Sequence, residues 1–410
     1  MSRPEPVSSP EPEKHLFATY SVRSVLGTAV AASRIAGSAS LGTSEERILK
    51  RASDRFAAKV CLVDEGKGLV KVAYPLDLFE PGNVSQWLSV FGGMFGTKPL
   101  ESIRLLDVEV PRALMEQFKG PKYGLEGIRR MLGTEATRRP HSGTIFKPEV
   151  GMTPAEMAEA AYEAGSGGID FLKDGEALTN QGFCSLPSRV ASVMEALDRV
   201  REETGRRVLY AVNVTSDAGE ILDRAETAME HGANCLSVNV FAAGLSSLRL
   251  LAEDASISSP IHAHGAVQAA VSGNQAHGIS RLAFSKLSRL LGCDQLHVGV
   301  AGTGNADPFQ EEAIACASAL MGRWNGVRSA LPAASGGIRP RSVPSVISAM
   351  GKDVLIIAGL GVWGHPGGGR EGSKALAQAI DAAVLGVPLN EYAESHGELR
   401  AALDHWAGRE

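Results

Sequence analysis

Short apolar runs and longer amphipathic runs alternate regularly after about residue 136. The first pairs are "GTIFK" with "PAEMAEAAYEAG" and "GGIDFLK" with "SRVASVMEALDRVREETG", and the last is "DVLIIAG" with "GSKALAQAIDAAVLG". The apolar runs are typical of strands buried on both faces, and many of the amphipathic runs end at a glycine, a common helix stop. Eight such pairs predict a (β/α)8 TIM barrel over residues 136–388. A doubly wound open sheet is the alternative, but it rarely continues through eight units without a reversal.

The chain before the barrel has a different pattern. "HLFATYSVRS" and "IRLLDVEVP" indicate strands, "FAAKVCLVDEGKGLVKVAYPL" indicates two strands joined by a turn, and "VSQWLSVFGGMFG" begins as a helix. This mixture predicts an α+β domain of the ferredoxin-like type over residues 15–135. Residues 1–14 are rich in Pro, Glu and Ser and predict a disordered tail. Residues 389–410 predict a C-terminal helical extension.

Composition and charge exclude several classes of protein. The 410 residues carry a formal net charge of −5, so there is no basic surplus for a general nucleic-acid binder. No apolar run is long enough to span a bilayer, and the N-terminus lacks the apolar region of a signal peptide. The five cysteines are scattered without zinc-site spacing. We therefore expect a cytoplasmic protein with no nucleic-acid or membrane partner.

Polar groups are concentrated at the predicted carboxyl ends of the barrel strands, where the chemistry of such barrels lies. A buried ammonium group is costly unless it finds a partner or loses its proton, so two lysines at strand ends indicate a polar site rather than a purely structural barrel. The alternative is that one or two of these ends are merely exposed to solvent. The eight strand-end residues are Lys147, Lys173, Asn213, Phe241, His264, His297, Ser335 and Gly359.

Two glycine-rich turns follow the last two predicted strands, namely "SGGIRP" and "GLGVWGHPGGG". Glycine lets main-chain N–H groups approach an anion closely, and this part of a barrel often binds phosphate. Lys173 is followed by Asp174, Gly175 and Glu176. Carboxylates beside a barrel lysine suggest a divalent cation bound through oxygen. The lysine itself could carry CO2 as a carbamate or act as a base; an ordinary surface turn is the alternative.

The motifs match a known family in order along the chain. The stretch from "GTIFKPEVGM" to "GIDFLKDGEAL", then "YAVNVTSD", "PIHAHGAVQAAVSGNQAHGIS", "GCDQLHVGV", "ASGGIRP" and "GLGVWGHPGGG", resembles the barrel of the RuBisCO large subunit and its RuBisCO-like relatives. "VFGGMFGTKPLESIRLLDVEVP" extends the resemblance to the N-terminal domain. The resemblance implies a homodimer or higher even oligomer, Mg²⁺ as the metal, and a phosphorylated ketose as the small-molecule substrate.

The resemblance also implies roles for individual residues. Lys173 would be the carbamylated lysine and Glu176 a metal ligand, while Lys147 would be the acid/base lysine. His264 and His297 would be the two site histidines. The residues expected to contact substrate oxygens and phosphate are Ser335, Gly336, Gly337, Gly359 and Gly361. The middle metal carboxylate of the family motif is Gly175 here. Water could replace it, Asp174 could swing in, or the metal could be weak or absent; a weakened Mg²⁺ site is the preferred interpretation.

Several departures from the carboxylase pattern shape the expected function. Glu149 stands where carboxylases have a second lysine, and the loop "VAGTGNADPF" contains no lysine. Gly265 and Gly93 replace an arginine and an asparagine of the site. These changes favour a RuBisCO-like protein of the fourth form that is not a carboxylase. It would be a metal-dependent enolase or isomerase of a phosphorylated ketose, such as a methylthio-pentose phosphate of methionine salvage. The alternatives are a decarboxylase of an oxo-sugar-acid phosphate and a non-catalytic sugar-phosphate-binding or regulatory barrel.

Overall fold

The computed structural model describes residues 10–43, 55–96, 100–303, 309–324 and 326–408. The chain divides into two units. The first contains the described part of Met1–Phe118 together with Val267–Leu287, and the second contains Lys119–Ala266 together with the described part of Ser288–Glu410. Most of the predicted tail, residues 1–9, lies outside the described residues. In the described part of the chain, no helix combines the length and the apolar character needed to cross a membrane.

The strands and helices of the described residues are named here in chain order. The strands are His15–Ser24 (β1), Lys59–Asp64 (β2), Leu69–Pro75 (β3), Leu100–Glu109 (β4), His141–Ile145 (β5), Phe171–Lys173 (β6), Leu209–Asn213 (β7), Cys235–Asn239 (β8), Ile261–His264 (β9), Gly278–Ile279 (β10), Gln295–Gly299 (β11), Leu331–Ser335 (β12) and Leu355–Ile357 (β13). The helices are Thr28–Leu41 (α1), Val84–Gly92 (α2), Arg112–Met115 (α3), Gly124–Leu132 (α4), Pro154–Ser166 (α5), Leu186–Thr204 (α6), Ile221–Glu230 (α7), Leu245–Glu253 (α8), Gln268–Ser272 (α9), Arg281–Leu290 (α10), Gln310–Met321 (α11), Val343–Met350 (α12), Leu360–Trp363 (α13), Gly369–Leu385 (α14), Leu389–Tyr392 (α15) and Gly397–His405 (α16).

The first unit contains a five-stranded sheet in the order β10-β4-β1-β3-β2. β1 pairs antiparallel with β3 and with β4, while the short β10 adds a parallel edge to β4. The hydroxyl groups of Tyr20 and Tyr74, from paired strands, form a buried hydrogen bond of 2.9 Å. The mixed sheet with helices confirms the predicted α+β fold of the N-terminal domain.

The second unit contains a closed parallel barrel in the order β5-β6-β7-β8-β9-β11-β12-β13, with β13 pairing back to β5. Closure leaves no free sheet edge, so the open-sheet alternative does not apply, and the predicted (β/α)8 barrel is confirmed. Inward-facing side chains fill the interior as one apolar cluster that includes Phe171, Leu209 and Leu355. Leu125 and Ile128 of α4 belong to the same cluster. The helices α15 and α16 lie in the predicted C-terminal extension, where Trp406 packs with Ala375 of α14.

Candidate active site at the carboxyl ends of the barrel strands

A cavity of about 360 Å³ lies in the second unit at the carboxyl ends of the barrel strands. Several expected site residues line this cavity, namely Lys147, Lys173, Glu176, His297, Ser335, Gly336, Gly337 and Gly359. Glu149 and Arg339 also line it, although neither was proposed as a site residue from the sequence. The parallel strands bring these residues together because all their carboxyl ends meet at the same face of the barrel.

Lys147 follows β5 and forms an ion pair with Glu149, two residues further along the chain. About one third of each side chain is exposed, 33% for Lys147 and 32% for Glu149. The pair therefore lies at the wall of the cavity, where solvent or a ligand can reach it. The ammonium group of Lys147 has a partner that can receive its proton.

Lys173, at the end of β6, is fully buried and forms a hydrogen bond of 2.7 Å from Nζ to Oε1 of Glu176. The Glu176 side chain keeps 28% of its surface exposed, so the pair connects the barrel interior to the cavity. Burial alone would raise the pKa of Glu176, but the Lys173 ammonium group more than offsets this effect and lowers the pKa below its usual value. Glu176 is therefore a carboxylate at neutral pH.

Three histidines lie close together on two neighbouring barrel strands, β9 and β11. His262, His264 and His297 form edge-on ring contacts, with centroids 4.8 Å apart for His262 and His297 and 6.3 Å apart for His264 and His297. Burial lowers the pKa of each ring well below its ordinary value. The Lys173 charge lowers all three further. All three rings are therefore neutral at neutral pH, so they act as hydrogen-bonding groups rather than as cations.

The hydrogen bonds of the histidines differ. His297 Nδ1 lies 2.8 Å from Ser335 Oγ, which joins β11 to β12 beside the cavity. His264 is 2% exposed and does not line the cavity. Among the described residues neither ring nitrogen of His264 has a hydrogen-bond partner, and Nδ1 lies 3.7 Å from Glu176 Oε1. The unsatisfied ring therefore lies next to Glu176, the partner of Lys173.

Asp174 turns away from the cavity. Its Oδ1 accepts a 2.5 Å hydrogen bond from Tyr210, and its Oδ2 accepts hydrogen bonds from Arg189 Nε and from the main chain of Asn213. The side chain is 1% exposed and does not line the cavity. From the sequence, Asp174 could swing into the cavity as a metal ligand. The structure does not support this role, because both carboxylate oxygens already accept hydrogen bonds within the barrel wall.

The glycine turns after β12 and β13 form one side of the cavity. Gly336 and Gly337 have φ values of +122° and +64°, which glycine adopts without the strain that other residues would suffer. Gly361 does not line the cavity. A Cβ there would lie 2.5 Å from the main-chain oxygen of Ile338, so this glycine lets the two turns approach each other. Arg339, two residues after Gly337, adds a positive charge to the glycine-rich wall, and its guanidinium group lies over the Trp406 ring at 5.7 Å from the ring centroid.

Arg339 and Glu149 were missed by sequence reasoning. The sequence carries a signal for Arg339, because this residue stands two positions after the paired glycines in "SGGIRP". Glu149 was noted as a replacement for a lysine and not as a functional group in its own right. The central residues of the loop "VAGTGNADPF", 304–308, lie outside the described residues.

Comparisons with known proteins agree on the family. The family model described as "Ribulose bisphosphate carboxylase large chain, catalytic domain" matches residues 124–406, and the model for the N-terminal domain of the same chain matches residues 7–114. A protein of Pyrococcus furiosus named ribulose bisphosphate carboxylase is 41% identical over 381 residues, covering 92% of this chain and 90% of its own.

Two solved structures show the same likeness. The octameric ribulose-1,5-bisphosphate carboxylase/oxygenase of Pyrococcus horikoshii superposes with a TM-score of 0.90 at 38% identity, covering 97% of this chain and 94% of its own. A RuBisCO-like protein, MtnW, of Alicyclobacillus acidocaldarius superposes with a TM-score of 0.85 at 33% identity, covering 97% of this chain and 100% of its own. The resemblance stated from the motifs is confirmed by both structures.

The expected function is corrected by these comparisons. The relatives found at 35% to 41% identity all bear the name ribulose bisphosphate carboxylase. This finding overturns the expectation of a non-carboxylating enolase or isomerase, together with its decarboxylase and non-catalytic alternatives. Single replacements such as Glu149 do not decide the activity, because their effect depends on the side chains around them.

Proposed function

Because the chain belongs to the ribulose bisphosphate carboxylase large-chain family, we propose that it is an enzyme that binds ribulose bisphosphate in this cavity and adds CO2 to it. The observation that carries the proposal is the cavity itself, in which two lysines, each paired with a glutamate, face a glycine-rich wall that carries Arg339. The choice of a phosphorylated ketose as substrate rests on the name of the relatives. The glycine-rich wall offers the guanidinium group of Arg339 and lets main-chain N–H groups approach a phosphate closely.

The first step of the proposed reaction is removal of a proton from the carbon next to the ketone. The bonding electrons move onto the carbonyl oxygen, and the resulting enediolate then forms a carbon–carbon bond with CO2. Lys147 lines the cavity and is about one third exposed, so its ammonium group can first release a proton to solvent, and the neutral amine then accepts the proton from the substrate carbon. The nascent oxyanion needs positive charge beside it, which Arg339 at the cavity wall can provide.

The residues of this site can hold a divalent metal ion only if Lys173 is modified. Within the described ranges, no three His, Cys, Asp or Glu side chains are grouped closely enough to hold an ion. The Lys173 amine lies 2.7 Å from Glu176, so a carbamate on Lys173 would set two oxygen-bearing groups side by side. Oxygen ligands of this kind suit Mg²⁺, which when bound would supply a Lewis acid for the substrate oxygens.

We extend the proposal to the assembly of the chain. The related protein of Pyrococcus horikoshii is described as an octamer, and an even-numbered oligomer is proposed for this chain by analogy. Light scattering that shows a monomer at micromolar concentration would contradict the proposed assembly but not the proposed reaction.

The function is tested by carbon fixation. The purified chain is incubated with ribulose bisphosphate, Mg²⁺ and ¹⁴C-bicarbonate, and acid-stable radioactivity is counted. We expect incorporation that depends on the ketose and falls by roughly 10²–10⁴-fold in Lys147→Met. Absence of incorporation would overturn the proposal. Deuterium exchange into ribulose bisphosphate without incorporation would likewise overturn carboxylation and leave only the proton transfer.

A further inference from the structure

The segment after Lys173 offers a single carboxylate to the cavity. Asp174 is held in the barrel wall by Arg189 and Tyr210, and Gly175 has no side chain. Of the two carboxylates that follow Lys173, Glu176 lines the cavity and Asp174 does not. A cation bound here through oxygen atoms therefore needs a further carboxylate from another part of the chain.

Glu149 occupies the space that a side chain at position 175 would fill. A Cβ built on Gly175 would lie 2.5 Å from the Cβ of Glu149, and 3.0 Å from both its Cγ and its main-chain oxygen. Atoms at 2.5 Å overlap, so full side chains at 149 and 175 exclude each other in this arrangement. Side chains at positions 149 and 175 would therefore compete for the same space, and in this chain Glu149, from the loop after β5, occupies it.

The two carboxyl groups meet within the cavity. Glu149 and Glu176 both line it, and the Glu149 carboxyl group is close enough to Glu176 to help lower the pKa of that residue. Two carboxylates in contact repel each other unless a proton or a cation lies between them. Lys147 contacts Glu149, and Lys173 contacts Glu176. The two carboxyl groups are therefore already accompanied by positive charge.

A second observation points to a ligand at the same place. His264 is buried, faces Glu176 at 3.7 Å, and lacks a hydrogen-bond partner for either ring nitrogen within the described part of the chain. Buried polar groups without partners are rare in folded proteins and call for an ion, a water molecule or a ligand nearby. The His264 ring therefore lies beside Glu176, one of the two carboxyl groups of the cavity.

We infer that Glu149 supplies a carboxylate ligand for a divalent, oxygen-preferring cation such as Mg²⁺, in place of a side chain at position 175. Glu176 and a carbamate on Lys173 complete the ligands from the protein. The carbamate forms when the neutral Lys173 amine attacks CO2, which makes one N–C bond and releases one proton to solvent. The inference deepens the proposed function because it concerns the same cavity, but it is tested by cation binding rather than by turnover.

The first test measures binding of Mn²⁺, a spectroscopic substitute for Mg²⁺, by electron paramagnetic resonance in bicarbonate buffer. The wild-type chain is compared with Glu149→Gln, which keeps the shape and removes the charge, and with Glu226→Gln on the exposed side of α7 as the control. We expect the wild type and the control to bind Mn²⁺, and Glu149→Gln to bind at least roughly tenfold more weakly. Melting temperatures show whether each variant is folded.

The second test exchanges the two positions. Glu149→Gly alone should lose Mn²⁺ binding, and the double variant Glu149→Gly with Gly175→Asp should regain it, because removing the side chain at 149 relieves the contacts with its Cβ and Cγ and leaves only the 3.0 Å approach to the main-chain oxygen. Absence of Mn²⁺ binding by the folded wild type, equal binding by Glu149→Gln, or no gain in the folded double variant would each overturn the inference. Loss of carbon fixation with the Mn²⁺ pattern intact would overturn the proposed function alone.

Discussion

The guanidinium group of Arg189 binds the carboxylate of Asp174 at 3.2 Å, and neither side chain is exposed to solvent. Arg189 also donates to the main-chain oxygens of Thr179 and Cys184, so it ties the segment after β6 to the start of α6. A buried charge without its partner is costly, so each member of this pair depends on the other. The pair holds the strand end from which Lys173 enters the site.

Replacing Arg189 with Met should destabilise the fold strongly. The change leaves the Asp174 carboxylate buried without its counter-ion, and losses of this kind reduce the free energy of unfolding by about 3–5 kcal/mol. Urea denaturation followed by circular dichroism measures the loss. Arg55→Met is the matched control, since the Arg55–Asp77 pair is largely exposed and should contribute nothing measurable. Equal midpoints for the two variants would contradict the structural role of the buried pair.

The sequence was informative where local pattern decides the structure. Continuous apolar runs predicted the barrel strands, and their ends placed Lys147 just after β5 and Lys173 at the end of β6, two strands that pair in the barrel. Contacts between distant residues were not accessible in this way. The parallel pairing of Gly278 with Arg104 depends on a two-residue strand that carries no periodic signal.

The local details of the site also escaped the sequence. An extended segment predicts that Asp174 points away from the cavity, but not that Arg189 and Tyr210 bind it there. The overlap between a side chain at 175 and Glu149 depends on how the loop after β5 folds back over β6. Such a contact is fixed by three-dimensional packing, and neither residue type indicates it alone.

Gly361→Ala should disturb the contact between the two glycine-rich turns. The new Cβ would lie 2.5 Å from the main-chain oxygen of Ile338 and 3.2 Å from the Cα of Arg339, and main-chain atoms cannot move aside cheaply. Overpacking of this kind typically lowers the free energy of unfolding by about 1–3 kcal/mol. The displaced turn should also bind ribulose bisphosphate more weakly, as measured by isothermal titration calorimetry. Gly397→Ala, whose Cβ would meet open space, serves as the control and should behave as the wild type.

Arg339 should contribute to binding of the phosphorylated substrate. It lines the cavity next to the turn that carries Gly336 and Gly337, where its guanidinium can bind a phosphate together with main-chain N–H groups. A hydrogen bond to a charged group contributes about 1.5–3 kcal/mol, so Arg339→Ala should weaken binding of ribulose bisphosphate by roughly 10–100-fold. Calorimetric titration measures the dissociation constant.

The control for this prediction is Arg341→Ala, an exposed arginine two residues further along the same turn. A general loss of positive charge would weaken binding in both variants, whereas a specific phosphate contact weakens it only in Arg339→Ala. Unchanged affinity in Arg339→Ala would place the phosphate elsewhere in the cavity.

His141 should make the fold sensitive to acid. Its ring is buried at the start of β5, and Nε2 lies 2.7 Å from Thr134 Oγ1. Burial lowers its pKa from 6.5 to about 4, and the charge of Arg129 adds to this effect while Asp170 opposes it. Between these two pKa values the unfolded chain binds more protons than the folded chain, so the stability contributed by the neutral ring is present above pH 6.5 and is lost as the pH falls.

The expected loss from this residue is about 2 kcal/mol between pH 7 and pH 5, which follows from the two pKa values by linkage. Urea denaturation at both pH values should show a smaller loss in His141→Gln than in the wild type, because glutamine does not titrate. A residual slope should remain in that variant, since His262, His264 and His297 also have lowered pKa values. His231→Gln, at an exposed ring, should keep the full wild-type slope. Equal slopes in His141→Gln and the wild type would show that the His141 ring is already protonated in the folded chain at pH 5.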